Sequence, residues 1–89
     1  MPWKIEYAEG VAKSLLAIDR HQARRIKKYL DERIATADDP RALGHGLSSN
    51  LAGLWRYRVG DYRIIAEIQD RNFVVLALRI GHRKDVYEN

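Results

Sequence analysis

The sequence predicts an α+β domain in which a two-helix hairpin packs on one face of a β-sheet. Apolar side chains recur at helical spacing in the first half, whereas the second half changes to runs of aromatic and β-branched residues typical of strands. The predicted order is a strand, two helices and then a three-stranded antiparallel meander, which places both helices on one sheet face. A chain of 89 residues has the length for one modest core, so we expect residues 1–89 to form a single domain.

The N-terminal half predicts one strand and two helices. Residues 3–7 (WKIEY) alternate apolar and polar side chains, as a half-buried strand does. Asp19 has the position of a helix N-cap with Gln22 closing a capping box, and the second helix should end before Pro40. The inward faces are predicted as Val11, Leu15 and Ile18 on the first helix, and Ala23, Ile26, Leu30 and Ile34 on the second.

The C-terminal half predicts three strands after a connecting segment. Residues 40–53 are rich in glycine, serine and asparagine and indicate a connection with at most a weak helical turn. Gly60 and Asp61 suit a two-residue hairpin turn with glycine in its first central position. The predicted strands are Leu54 to Val59, Tyr62 to Gln69 and Phe73 to Ile80.

The register of the meander brings arginines together. The two-residue turn pairs Arg58 with Arg63, and two like charges directly opposite each other cost roughly 0.2–1 kcal/mol. For the second hairpin, a three-residue loop with Asn72 in the left-handed conformation keeps one face apolar. That loop pairs Ile64 with Leu78, Ala66 with Leu76 and Ile68 with Val74, and sets Arg79 beside Arg63. The expected outcome is an arginine face made of Arg56, Arg58, Arg63 and Arg79, with Trp55, Tyr57, Ile64, Leu76 and Leu78 facing the helices.

The composition favours a polyanionic partner and excludes several kinds of site. The formal charge is +4, with 16 Lys and Arg against 12 Asp and Glu, and the pI is about 9.6. The absence of cysteine excludes disulfides, thiolate zinc sites and thiol nucleophiles. No apolar run has the length of a secretion signal or a membrane span, so we expect a cytoplasmic protein without a membrane partner.

The arginine face is interpreted as an RNA-binding surface. Clustered positive charge is self-repelling unless an anion lies in it, and the guanidinium fork binds two phosphate oxygens at once. The alternative is a solvated sheet face whose arginine stems shield apolar atoms. Beside it, His82, Arg83 and Tyr87 are residues suited to RNA cleavage without a metal or cofactor. Such cleavage needs a proton acceptor for the 2′-hydroxyl, a proton donor for the leaving 5′-oxygen and fixed positive charge on the phosphate. The alternative for this segment is a frayed terminus.

Several motifs resemble one known family. Residues 54–65 (LWRYRVGDYRII), 80–83 (IGHR) and 86–87 (VY), with 39–43 (DPRAL) and 50–53 (NLAG) before them, resemble the RelE toxins of the RelE/ParE superfamily. The likeness runs essentially from end to end. It implies a toxin of a toxin–antitoxin pair that enters the ribosomal A site and cuts mRNA by 2′-oxygen attack, leaving a 2′,3′-cyclic phosphate. It also implies a cognate RelB-like antitoxin, through which alone the toxin would reach operator DNA.

The resemblance assigns roles to individual residues. Arg63 matches the arginine that contacts the scissile phosphate, Arg83 the arginine that stabilises charge or protonates the leaving oxygen, and Tyr87 the terminal tyrosine that orients the nucleotide. Arg56 and Arg58 stand where the best-known members have lysines, and we group them with Arg79 and Lys84 as RNA-binding residues.

The identity of the general base is left open by this match. Arginine effectively cannot lose its proton, so Arg56 and Arg58 hold phosphate but are poor candidates for the base. Two candidates are Tyr87, as a phenolate among positive charges, and His82, since related toxins use a histidine in this region.

Fold alone does not separate the nuclease from two other functions. ParE-type members of the superfamily share the fold and poison DNA gyrase without chemistry on nucleic acid. A weakened toxin, retained for antitoxin binding and operon control, is the other alternative. The arginine set with its terminal tyrosine favours the nuclease, because ParE-type chains generally lack it.

Overall fold

The structure, a computed structural model, describes residues 2–82. Over this range no helix combines the length and the apolar character that crossing a membrane requires. The elements in chain order are β1 (Lys4–Tyr7), α1 (Glu9–Ala17), α2 (Arg20–Tyr29), a π-helical turn (Leu30–Ile34), a 3₁₀ turn (Pro40–Leu43), β2 (His45–Gly46), a second 3₁₀ turn (Ser49–Leu51), β3 (Trp55–Val59), β4 (Tyr62–Gln69), a third 3₁₀ turn (Asp70–Asn72) and β5 (Val74–His82). The predicted α+β class with a helix hairpin and an antiparallel meander is confirmed.

The helix hairpin forms as its capping residues predict. The Asp19 carboxylate accepts a hydrogen bond from the Gln22 backbone N–H at 3.3 Å and begins α2. After Tyr29 the helix widens into the π-helical turn, in which the Ala35 N–H donates to the Leu30 carbonyl at 2.9 Å. This turn keeps both Leu30 and Ile34 fully buried and ends the helix before Pro40.

The sheet is mixed and has five strands in the order β1-β5-β4-β3-β2. β1 lies parallel to β5, with Lys4 opposite Val74 and Tyr7 opposite Ala77. β2 is a two-residue strand against β3 inside the segment that the sequence indicated only as a connection. Its Gly46 lies directly on the Trp55 ring, because a Cβ there would stand 2.9 Å from a ring carbon. Glycine is unfavourable in strands, so the sequence at His45 and Gly46 has no strand pattern.

The first hairpin has the predicted register. Val59 pairs with Tyr62 and Arg58 with Arg63, and Gly60 occupies the first turn position with φ +59°. That positive φ is unstrained only for glycine, which explains the choice of residue. The Arg58–Arg63 opposition inferred from the sequence is therefore confirmed.

The second hairpin differs from the prediction. Its left-handed residue is Phe73 (φ 53°) rather than Asn72, so the loop has four residues and β5 begins at Val74. Consequently Ile64 pairs with Ile80, Ala66 with Ala77 and Ile68 with Val75, and the predicted pairings with Leu78, Leu76 and Val74 are wrong. The physical reason is the contact of Phe73 with Trp3 and Lys4 near the N-terminus. The Phe73 ring packs edge-on against Trp3 at 5.3 Å between centroids, and its carbonyl accepts a hydrogen bond from Lys4.

The residues of β5 that face the helices differ from the prediction, and a β-bulge returns Arg79 to its predicted face. Val75 and Ala77 join the buried core on the helix side, whereas the predicted inward residues Leu76 and Leu78 do not. Arg79 would follow Ala77 onto the helix side in a regular strand, where side chains alternate. The register shift opposite Ile65 and Ala66 makes Leu78 the extra residue and returns Arg79 to the outer face. Arg79 thus lies opposite Ile65, and its predicted place beside Arg63 is wrong.

The core lies between the helices and the inner sheet face. Tyr57 is at its centre with no exposed surface, and its hydroxyl donates to the Pro40 carbonyl at 2.6 Å. Trp55 packs against this core, and its indole N–H donates to the Arg41 carbonyl at 3.0 Å. The buried cluster consists of Trp3, Val11, Ile26, Leu30, Ile34, Tyr57, Val59, Ile64, Ala66, Val75 and Ala77.

One ion pair joins the connecting segment to the second hairpin. Both terminal guanidinium nitrogens of Arg41 donate hydrogen bonds to the Asp70 carboxylate oxygens, at 2.9 and 2.7 Å. The guanidinium carbon also lies over the Trp55 ring, 5.9 Å from its centroid. The hydrogen bonds from Arg41 hold the pKa of Asp70 below its ordinary value of 3.8.

We expect Asp70→Asn to lower the melting temperature at neutral pH and to have progressively less effect below about pH 4. Because the folded-state pKa is depressed, the carboxylate stabilises the fold above its unfolded pKa, and this stabilisation disappears as the pH falls through the folded value. Thermal melts of wild type and variant from pH 7 to pH 3 measure the difference. Asp61→Asn, the same charge change in an exposed turn, is the control. A difference that does not vary with pH would contradict this role of the ion pair.

Candidate nucleic-acid interface

The arginine face consists of two cross-strand rows on the sheet face away from the helices. In the first row Arg58 lies opposite Arg63, and Arg63 lies opposite Gly81 on its other side. Gly81 contributes no side chain next to Arg63, so β5 leaves that flank of the arginine open. In the second row Ile65 lies between Arg56 on β3 and Arg79 on β5.

The first row carries concentrated positive charge. Arg58 is exposed and Arg63 half-buried, and neither forms an ion pair with a carboxylate of residues 2–82. The Arg63 guanidinium makes one long hydrogen bond, to the Tyr62 carbonyl at 3.5 Å. Two arginines opposed in this way repel each other, and a phosphate between them would reverse the sign of that interaction.

The second row has a buried centre. Ile65 is only 2% exposed although it lies outside the helix-side core cluster. The register sets it between Arg56, which is half-buried, and Arg79, which is exposed, and the methylene stem of an arginine can shield an apolar neighbour. An arginine stem that shields an apolar residue does not prevent the same arginine from binding phosphate, so the two sequence interpretations of the arginines do not exclude each other.

His82 lies on the other side of the sheet from this face. It pairs with Tyr62, and the two rings meet edge-to-face at 6.0 Å between centroids. Both rings border a cavity of about 280 Å³ between the β3–β4 turn and α2, together with Gln22 and Arg25. The strands thus bring Arg56, Arg58, Arg63 and Arg79 to one face and separate His82 from them. The other predicted site residues, Arg83, Lys84 and Tyr87, lie outside the described residues.

A second group of cations escaped the sequence analysis. Arg25, Lys28 and Arg33 surround a groove of about 370 Å³ together with Arg58, where α2 passes the end of β3. In the sequence these three residues are simply outward positions of a charged helix, with nothing to distinguish them from Arg24 or Lys27. Only the packing of the helix on the sheet distinguishes these three residues, because it places them beside Arg58.

Comparison with known proteins identifies the family. A family model described as the ParE toxin of type II toxin–antitoxin systems (parDE) matches residues 5–87. Toxin RelG of Mycobacterium tuberculosis is 39% identical over 49 residues, an alignment that covers 55% of this chain and only 56% of RelG.

Solved structures share the fold. In the toxin–antitoxin complex RelBE2 of Mycobacterium tuberculosis, the matching chain has a TM-score of 0.85 at 24% identity, with 96% of this chain and 95% of that chain covered. A mutant of the E. coli toxin RelE in the free state has a TM-score of 0.74 at 19% identity, with 94% and 86% covered. At these identities the likeness shows the fold, while the family-model match spans nearly the whole sequence. The chain therefore belongs to the ParE toxin family of type II toxin–antitoxin systems, within the RelE/ParE superfamily that its motifs resemble.

Proposed function

We propose that the protein is a ribosome-dependent endoribonuclease that cuts mRNA in the ribosomal A site and so inhibits translation. The observation that carries this proposal is the Arg58–Arg63 opposition on the outer sheet face, with Gly81 beside it. This arrangement costs stability in the free protein and suits a bound phosphate. Arg56 and Arg79 extend the same positive face by one row toward the neighbouring nucleotides.

The chemistry that these residues support is transfer of the phosphate to the neighbouring 2′-oxygen. The 2′-oxygen forms a bond to phosphorus as its proton leaves to a base, and the bond from phosphorus to the 5′-oxygen breaks as that oxygen gains a proton. The products are a 2′,3′-cyclic phosphate and a free 5′-hydroxyl. Arg63, supported by Arg58, would neutralise the charge that accumulates on the phosphate oxygens, which requires no metal or cofactor. Arg83 would stabilise the leaving oxygen or protonate it.

The general base is assigned to Tyr87 rather than His82. The His82 ring packs edge-to-face against Tyr62 on the helix side, so the sheet separates it from a phosphate held by Arg63. Tyr87 follows five residues later, a span that allows the chain to return to the outer face. Lys84, in the same segment, would hold a flanking phosphate.

An antitoxin is the expected protein partner. The RelBE2 toxin is in complex with its antitoxin, and this chain belongs to a family of type II toxins. We propose that a RelB-like antitoxin covers the arginine face, holds the toxin inactive in the cytoplasm and is the sole link between the toxin and operator DNA. No membrane partner is proposed.

A second function, inhibition of DNA gyrase by binding alone, has three observations in its favour. The matching family model is that of ParE toxins, and arginines occupy the two positions where the best-known nucleases carry lysines. A binding toxin needs no proton acceptor on the arginine face, which agrees with the position of His82. A weakened toxin retained for antitoxin binding fits the same residues.

Primer extension on a translated mRNA with purified ribosomes tests the proposal. We expect cuts at A-site codons that appear only when ribosomes are present, lost in Tyr87→Phe and retained in His82→Gln. Inhibition of the supercoiling activity of DNA gyrase is measured with the same preparation of the protein. Inhibited supercoiling without mRNA cuts would replace the nuclease by the gyrase function, and a folded protein with neither effect would indicate the weakened toxin.

A further inference from the structure

We infer that the groove between α2 and the end of β3, which adjoins the arginine face at Arg58, binds a second stretch of RNA backbone. We call it the basic groove; it is lined by Arg25, Lys28, Arg33 and Arg58, with Glu32 and Tyr29 between them. The inference rests on the proposed function for its ligand class, RNA. It adds a site that the two arginine rows do not contain.

Local helix geometry aligns the cations along the groove. Arg25 and Lys28 are three residues apart on α2 and therefore lie on the same side of the helix. Arg33 is five residues beyond Lys28, a spacing that in a regular α-helix points a side chain elsewhere. The π-helical turn from Leu30 to Ile34 widens the backbone at this point, and Arg33 joins the groove while Ile34 stays fully buried.

The charge in the basic groove is not neutralised within the described chain. Arg25, Lys28, Arg33 and Arg58 are all exposed, and the ion pairs formed within residues 2–82 involve none of them. Glu32 is the one carboxylate among the lining residues of this groove. Four cations around a concave surface with one anion raise the local concentration of polyanions.

The β3–β4 turn makes the groove continuous with the arginine face. Arg58 belongs to both surfaces, because it pairs with Arg63 and also lines the groove. Arg25 reaches the turn closely, since a Cβ on Gly60 would stand 2.8 Å from its guanidinium. A strand of RNA whose phosphate lies at Arg63 can therefore continue past Arg58 and around Gly60 toward Lys28.

The surface chemistry favours RNA over an amphipathic protein segment. The large apolar side chains exposed within residues 2–82 are Leu16, Leu43, Phe73 and Leu78, and none of them lines the basic groove. A protein helix binds a groove chiefly through apolar anchors, whereas a nucleic-acid backbone needs only cations at intervals.

The test compares two double variants, in α2 and the π-helical turn that follows it, with the same change in charge. Lys28→Gln/Arg33→Gln removes two groove cations, and Arg24→Gln/Lys27→Gln removes two exposed cations of α2 that lie outside the groove. The probe is a labelled single-stranded RNA with 2′-O-methyl groups, which has the phosphates but cannot be cut by 2′-oxygen attack. Fluorescence anisotropy measures its affinity over a range of salt concentrations, and thermal melts confirm that both variants are folded.

We expect the groove variant to bind about tenfold more weakly and the slope of log K against log salt to flatten by about 1.4, or about 0.7 for each of two phosphate contacts. The control variant should lose less than about twofold, because it affects only long-range attraction. Equal losses of RNA affinity in both variants would mean that net charge alone accounts for the weaker binding, and this would overturn the inference. Unchanged RNA binding, or a loss of affinity for a polyglutamate peptide instead of RNA, would overturn it too. If the groove variant shows the expected loss while wild type cuts no mRNA on ribosomes, the groove stands and the nuclease proposal fails.

Discussion

Arg63→Ala is expected to reduce A-site cleavage by about 10²- to 10³-fold, the usual effect of removing one group that stabilises a developing charge. The fold should survive the change. Arg63 is half-buried, makes one long hydrogen bond at 3.5 Å and lies opposite Arg58, so its removal relieves a like-charge pair. We therefore expect a melting temperature equal to or slightly above that of wild type. Primer extension with purified ribosomes gives the cleavage rate, and calorimetry gives the melting temperature.

Arg71→Ala is the matched control for this experiment. Arg71 is an exposed arginine in the turn at the other end of β4, and its loss changes the net charge by the same amount. It should cleave at the wild-type rate. Loss of cleavage together with loss of the thermal transition in Arg63→Ala would make Arg63 a structural residue. Wild-type cleavage by a folded Arg63→Ala would remove it from the site.

Tyr57→Ala should destabilise the domain by about 3–5 kcal/mol, the usual cost of truncating a buried aromatic side chain. Tyr57 has no exposed surface and contacts the centre of the core, so its removal leaves a cavity that the sheet and α2 cannot close. Small domains have total stabilities of roughly 5–15 kcal/mol, so this loss removes a large fraction of the stability of a domain at the lower end of that range. Urea denaturation followed by circular dichroism measures the change.

Tyr57→Phe separates the ring from its hydrogen bond. Burial raises the pKa of Tyr57, so the hydroxyl remains a proton donor at all working pH values and holds the Pro40 carbonyl at 2.6 Å. Losing that bond should cost about 0.5–1.5 kcal/mol, far less than losing the ring. Equal destabilisation by the two variants would mean that the connection to Pro40, rather than core volume, decides stability here.

The parts of the fold that were predictable depend on local patterns. The Asp19 cap, the helix end before Pro40 and the glycine turn at Gly60 each follow from residues adjacent in sequence, and all three are present. The second hairpin was mispredicted because Phe73 adopts a left-handed conformation held by Trp3, a residue at the start of the chain. A bulky aromatic residue is a rare occupant of that region, so no local rule pointed to it.

The candidate site was predicted with mixed success for similar reasons. Arg58 and Arg63 follow from one tight turn, and their opposition is confirmed. The outer-face position of Arg79 is also confirmed, although the predicted register was wrong, because the bulge at Leu78 offsets the register error. The position of His82 across the sheet depends on the same register, and the basic groove depends on helix packing. Neither property is encoded in a short stretch of sequence.

The parallel pairing of β1 with β5 bears on how the protein is made. Lys4 to Tyr7 have their sheet partners in Val74 to Ala77, far later in the sequence. A nascent chain cannot complete this sheet until Val74 to Ala77 have been synthesised, and contacts so distant in sequence form slowly. The Arg58–Arg63 hairpin is synthesised before that point. Arg56, Arg58 and Arg63 thus precede β5 on a partly folded chain, whereas Arg79 joins them only with β5, and this leaves an interval in which an antitoxin already present could bind the first three.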